Sequence, residues 1–302
     1  MRAALPMVMV NNMKKTREVQ RLVPAHKQLE GGGFVVRRPF PNVGIQQVDP
    51  FLLLDELGPI DYPAGEAVGA PDHPHRGFET VTYVLEGENE HEDSAGHKGF
   101  IGAGDVQWMT AGKGVVHAEM PSRRMQENGG RMHGFQIWVN LPKRDKLMEP
   151  RYQELPARGI PTATSADGLA KVKVIAGEAL GAKAAIETRT PIAYHHWSLQ
   201  PGAEVRIPLD ATFNGLLYVF GGAVKVGDDS REVKDGTMAM LGLGDEVLIR
   251  ADQKAELLLL AGVPLREPMA RWGPFVMNEW KELEEAAEDF QTGRMGRIKR
   301  AS

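Results

Sequence analysis

Short apolar runs broken by turn residues dominate the chain. Phe34-Val35-Val36, Thr80-Val81-Thr82-Tyr83-Val84-Leu85 and Phe135-Gln136-Ile137-Trp138-Val139 are rich in β-branched and aromatic residues, and Gly or Pro recurs between such runs. Runs of this kind in series predict strands of a sandwich or barrel. Val172 to Ile175, Tyr194 to Leu199, Glu204 to Ile207, Leu216 to Phe220, Glu246 to Ile249 and Glu256 to Leu260 carry the pattern through the second half. One segment differs. From Glu279 to Phe290, the residues Trp280, Leu283, Ala286, Ala287 and Phe290 recur at helical spacing among Glu, Lys and Asp, which predicts a C-terminal helix laid on a barrel.

The 302 residues suffice for about two cores. Pro156 to Asp167, with Pro, Gly, Thr, Ser and Ala, reads as a linker, which places one domain in residues 1–155 and a second in 156–302. Tyr83-Val84-Leu85-Glu86-Gly87 is echoed by Tyr218-Val219-Phe220-Gly221-Gly222, and each precedes a Gly/Asp pair, Gly104-Asp105 and Asp235-Gly236. The fold class expected is therefore all-β, two barrels in tandem with a short terminal helix. The basic stretch Arg294 to Arg300 reads as a solvated, mobile end.

Composition narrows the function. Hydrophobic residues at 42% and charged residues at 25% disfavour disorder and a membrane class. A net charge of -4, a pI near 6.2 and the lack of a long Lys/Arg run argue against direct nucleic-acid binding. No window approaches the ~20 apolar residues of a membrane helix. Ala3 to Val10 is apolar but short, contains Pro6 and lacks a small-residue cleavage site, so a secretory signal is not expected, and Met13 is an equally good start. A soluble, cytoplasmic monomer is the expectation. With no cysteine, any metal must sit on imidazole and carboxylate.

Those ligand types cluster. In Asp72-His73-Pro74-His75-Arg76-Gly77-Phe78-Glu79 the two histidines are two apart, and on a strand they project to one face. Glu79 has the same parity and is a further candidate. Gly112-Lys113-Gly114-Val115-Val116-His117-Ala118-Glu119 repeats the spacing with His117 and Glu119. Two adjacent strands would aim His73, His75, His117 and Glu119 at one ion. Three neutral imidazoles and a carboxylate suit iron, manganese, nickel, copper or zinc, and an octahedral ion would keep positions open. His91 and His97 flank Glu92-Asp93 in a polar segment that reads as a hairpin loop with solvated histidines. His195 and His196 are consecutive and face opposite ways. Counted from Tyr218, the second half has Pro208 and Asp210 where the first has His73 and His75, so no metal is expected there.

The segments Asp72 to Val81, Gly104-Asp105-Val106-Gln107-Trp108-Met109-Thr110-Ala111-Gly112 and His117-Ala118-Glu119-Met120-Pro121 resemble the pirin family of bicupins. Asp49-Pro50-Phe51, Trp138-Val139-Asn140-Leu141-Pro142 and Gly273-Pro274-Phe275-Val276-Met277-Asn278 resemble its other landmarks, so the similarity spans nearly the whole chain. The resemblance implies two cupin barrels of the jelly-roll type. It also implies one divalent metal, usually Fe(II), in the N-terminal barrel alone, held at His73, His75, His117 and Glu119 with Glu79 outside; cobalt joins the other ions as a possible occupant.

Two roles follow from the resemblance. One is a quercetin 2,3-dioxygenase, in which a flavonol and dioxygen meet at the metal, and Glu119 as ligand and base removes the 3-hydroxyl proton. Phe78, Trp108, Met109 and Phe135 are candidates for the apolar wall of that site. The other is an iron-dependent, redox-sensitive regulator that contacts a protein partner, a transcription factor or a metabolic enzyme.

Overall fold

Apolar runs become strands along the whole chain in the structure, a computed structural model that describes residues 14–300. The apolar stretch Ala3 to Val10 lies outside the described residues. In the first half the strands are β1 (Val19–Pro24), β2 (His26–Glu30), β3 (Phe34–Phe40), β4 (Phe51–Tyr62), β5 (Ala70–His75) and β6 (Phe78–Glu86). They continue as β7 (Asn89–Asp93), β8 (Lys98–Ile101), β9 (Val106–Thr110), β10 (Val115–Pro121), β11 (Gly130–Asn140) and β12 (Arg151–Leu155).

A seven-stranded sheet in the order β12-β9-β6-β11-β4-β3-β2 faces a four-stranded sheet in the order β5-β10-β7-β8, and these form the first barrel. The second barrel repeats the plan. Its larger sheet includes Ile192–Leu199, Asn214–Gly221, Thr237–Leu241 and Ala255–Gly262, and its smaller one Ala203–Pro208, Ala223–Val226, Arg231–Lys234 and Glu246–Ala251. Along Ala203–Pro208 buried Ala203, Val205 and Ile207 alternate with exposed Glu204, Arg206 and Pro208, as a sheet with one wet face requires. The two large sheets pack back to back. Val81, Tyr83, Trp108 and Phe135 from one share a core with Tyr194, Leu216, Tyr218 and Leu258 from the other. Burial of each such side chain contributes roughly 1.5–3 kcal/mol.

Both ends of the chain cross over. β1 lies in the half assigned from sequence to the first barrel, yet it pairs antiparallel with Thr237–Leu241 of the second. Arg17, fully buried just before it, donates to the carbonyls of Asp210, Phe213, Gly242 and Gly244, all in the second half. Those acceptors satisfy a buried guanidinium and pin the strand. At the other end, the helix Trp280–Gln291 packs Leu283 and Ala286 against Val116 of the first barrel and against Phe275 and Met277 of the hairpin that precedes the helix. Its start is fixed by a capping box between Glu279 and Glu282. Trp280 and Phe290 are exposed, so the buried stripe is narrower than the sequence period suggests; Trp280 stacks on Trp272 instead. A second helix, Arg123–Asn128, is too short to announce itself by periodicity; Ser122 caps it through the amide of Met125.

The basic tail is not free. Arg300 pairs with Asp72, and Ser94 Oγ donates to Met295 O at 2.8 Å. Lys146 is also anchored, fully buried, with Nζ donating to Gly77 O, Asn140 Oδ1 and Val276 O at 2.7–2.9 Å. His195 and His196 do face opposite ways. His196 meets Tyr83 Oη at 2.8 Å and Glu256 Oε2 at 3.0 Å, whereas both ring nitrogens of His195 are buried without a partner.

Burial pushes His195 down to about 4 from 6.5. Below pH 6.5 the unfolded chain takes up a proton that the native His195 refuses, so stability present above 6.5 is lost as pH falls toward 4. The expected size is about 3 kcal/mol. His195→Leu is expected to flatten the acid limb of urea unfolding midpoints across that window; parallel profiles for variant and parent would show that His195 does not titrate this way.

Candidate metal centre

β10 sits centrally in the four-stranded sheet, with β5 on one side and β7 on the other. Against β5 it places His117 opposite His73 and Val115 opposite His75. β5 is an edge strand, which accommodates Pro71 and Pro74 because one row of its amides needs no ladder partner. The result is a triangle of imidazoles. Ring centroids are 4.7 Å apart for His73 and His75, 4.3 Å for His73 and His117, and 4.9 Å for His75 and His117, with all three ligand nitrogens within 4.8 Å of one another.

The rings are held by their outer nitrogens. His73 Nδ1 lies 2.7 Å from Pro71 O, and His75 Nδ1 3.4 Å from Pro274 O, a contact with the crossing C-terminal segment. A proton on Nδ1 leaves each Nε2 with a free lone pair. His117 Nε2 is buried and has no hydrogen-bond partner. Burial, with repulsion from neighbouring imidazoles, holds His75 and His117 well below the ordinary histidine range, so both are neutral at pH 7. An orphaned buried nitrogen among converging neutral imidazoles fits a divalent transition metal.

Glu119 lies beside this triangle rather than inside it. The pairing of β10 with β5 slips between His117 and Glu119, so Glu119 stands opposite Ala70. Its carboxylate shares a second compact group with His117 and His91, and Oε1 accepts from Thr82 Oγ1 at 2.8 Å. Both groups of three metal-type side chains among the described residues lie in the first barrel. Glu79 points elsewhere. Between His75 and β6 the chain turns at Gly77, with φ at 87° and room for no side chain, because a Cβ there would meet Val276 O at 2.0 Å. That turn breaks the strand parity, and Glu79 accepts from Thr110 Oγ1 at 2.6 Å away from the imidazoles.

His91 departs from the loop reading. It is a buried residue of β7, paired with Glu119 across the ladder, with Nδ1 3.5 Å from His117 Nδ1 and Nε2 3.1 Å from Tyr152 Oη. Its place on the same face as Asn89 and Asp93, at strand spacing, is the sequence signal that identifies it. His97 is exposed in the following turn and bonds Asp93 at 3.0 Å.

A cavity of about 530 Å³ opens at the triangle, lined by His73, His75 and Glu119. Its walls are Thr82 and Gln136, Leu53 and Leu57, Met132 and Trp138. None of Phe78, Trp108, Met109 and Phe135 lines it. Trp108 and Phe135 lie in the core between barrels, Met109 packs with Ala111 and Val115, and Phe78 supports the His75 ring from behind at 5.0 Å. Trp138 was detectable from its parity with Gln136, opposite to Phe135, because alternate residues of β11 face opposite sides.

Two tandem barrels, one of them carrying a histidine triangle at the floor of a cavity, define a bicupin with a metal-type site. Comparison with known proteins agrees: residues 33–139 match the Pirin family and residues 194–296 the Pirin C-terminal cupin domain. A pirin-like protein of Solanum lycopersicum is 43% identical over 96% of this chain and 97% of its own, and human Pirin is 42% identical over 94% and 96%. The crystal structure of a quercetin 2,3-dioxygenase from Acinetobacter baumannii superposes with a TM-score of 0.89 at 38% identity, covering 94% of this chain and all of that one. The chain belongs to the pirin family. Among its described residues no helix is long and apolar enough to cross a membrane.

Removing His117 as His117→Ala is expected to lower metal affinity by more than the roughly 10- to 100-fold that follows loss of outer partners. Glu79→Gln is expected to leave it unchanged. Competition with a chromogenic chelator reads both; equal losses would place Glu79 in the ion's coordination shell.

Proposed function

We propose that the protein is a metal-dependent dioxygenase of a flavonol such as quercetin, with His73, His75, His117 and Glu119 holding one Fe(II). The observation that carries this reading is the convergence of three imidazoles, two of them held neutral by burial, on a cavity of about 530 Å³ with an aromatic wall. That volume is of the order needed for a drug-sized planar ligand. The similarity to the Acinetobacter quercetin 2,3-dioxygenase supports the same substrate class.

When bound, the ion supplies Lewis acidity and an electron donor for dioxygen chemistry. The chain's own residues do the rest. Glu119 reaches the cavity with Oε1 accepting from Thr82 Oγ1, and its other oxygen would serve in turn as ligand to the ion and as acceptor of the 3-hydroxyl proton of the flavonol. Thr82 in turn contacts Gln136 Oε1 at 2.9 Å, so the carboxylate is oriented by a wall rather than by solvent. Trp138 offers an aromatic edge beside His75, with ring centroids 5.1 Å apart. Leu53, Leu57 and Met132 exclude water around an apolar ligand.

A second reading, a metal-dependent regulator acting through protein contacts, draws on one observation: Arg300 of the docked tail pairs with Asp72, next to His73. On that reading the metal's state biases how the tail sits.

Anaerobic loading with Fe(II), then quercetin and air, is expected to bleach the flavonol band and release carbon monoxide. Both signals are expected to disappear in His73→Ala, and Glu119→Gln to lower kcat by about 100-fold or more, the usual worth of a general base. No turnover with iron, manganese, nickel, copper or cobalt would leave the regulatory reading.

A further inference from the structure

Two arginines line the cavity, Arg38 and Arg271, and their circumstances differ. Arg38 is fully engaged, with Nε and Nη2 on Asp55 at 2.6 and 2.5 Å and Nη1 on Glu30 at 2.7 Å. Arg271 is not. Among the described residues the one hydrogen bond of its side chain is from Nη1 to Leu52 O, at 3.3 Å. The two carboxylates nearby, Asp55 and Glu30, are both clasped by Arg38.

The Arg271 guanidinium is nonetheless held in place. Its carbon lies 4.9 Å from the centroid of the Trp138 ring, and that ring lies 5.1 Å from the ring of His75. The backbone is fixed as well, because Arg271 pairs with Val276 in the hairpin of Ala270–Trp272 and Phe275–Met277, and Val276 O is bonded by Lys146 Nζ. A planar, weakly hydrated cation stacked on an aromatic ring, with donors unused, is preorganised for a carboxylate or an ionised phenol.

We infer that Arg271 is a specificity-determining residue of this cavity, and that its preferred ligands are planar aromatics bearing an anionic oxygen that meets its guanidinium. The inference rests on the cavity being the site for an aromatic ligand, and deepens that reading by naming the charge of the ligand. The Trp138 ring neighbours both anchors, 4.9 Å from the guanidinium carbon and 5.1 Å from the His75 ring. A lysine would keep the charge but lose the planar stacking on Trp138 and the bidentate geometry.

The test uses full-length protein loaded with Zn(II), which has no redox chemistry of its own, and two probes, 3-hydroxyflavone and its 4′-carboxylate. Calorimetry is expected to show the carboxylate binding about tenfold tighter, the worth of one charge-assisted hydrogen bond. In Arg271→Gln that preference is expected to vanish while affinity for neutral 3-hydroxyflavone stays within about twofold; Arg271→Lys is expected to keep part of it. Equal affinity for the two probes in the parent protein, or equal loss for both in Arg271→Gln, overturns the inference, the second result assigning Arg271 to support of Trp138. Binding of neither probe overturns it together with the reading of the cavity. Retained discrimination in a protein that fails to consume quercetin removes only the dioxygenase reading.

Discussion

The position of β10 between β5 and β7 is the constraint on which the site depends. A central strand has two ladders to satisfy; the one to β7 keeps its register throughout, and the one to β5 keeps it as far as His117. The ladder to β5 brings His117 opposite His73, and the ladder to β7 brings Glu119 opposite His91. Metal-type groups thus gather on both flanks of one strand before any ion arrives. The cost is that His75 and His117 are packed together and dried, which opposes their charging and leaves a buried nitrogen of His117 without a partner. A cation is the natural relief for both.

Much of this was legible in the sequence, for a specific reason. His73-Pro74-His75 and His117-Ala118-Glu119 carry the strand period directly, so the facing of each pair follows from spacing alone. What spacing cannot convey is where a ladder slips. The irregularity between His117 and Glu119 sets the carboxylate to one side, and the turn at Gly77 reverses the parity on which Glu79 was counted. His91 is hidden from spacing because a polar segment reads as a loop, whereas β7 is a strand that buries the polar residues Asn89, His91 and Asp93 on one face. Apolar residues were the least legible. Trp108 and Phe135 look like pocket walls in a single barrel, and become core only because a second barrel covers their face.

The second barrel therefore has a structural role whatever its own chemistry. By covering the back of β6, β9 and β11 it lets the opposite face of those strands be committed to the cavity, where Thr82, Gln136 and Trp138 project. The polar bonds across that seam, Tyr83 to His196 and Tyr218 to Glu56 at 2.6 Å, fix the orientation of one barrel on the other. The rigidity of the cavity floor is thus borrowed in part from a neighbour that contributes no side chain to the histidine triangle.

The crossed ends of the chain carry a consequence for its architecture. Because β1 completes a sheet of the distal barrel while the terminal helix and tail cover the proximal one, scission in the segment joining the barrels would not release two self-sufficient modules. Each fragment would carry off a piece its counterpart needs, so the halves are interlocked like clasped hands.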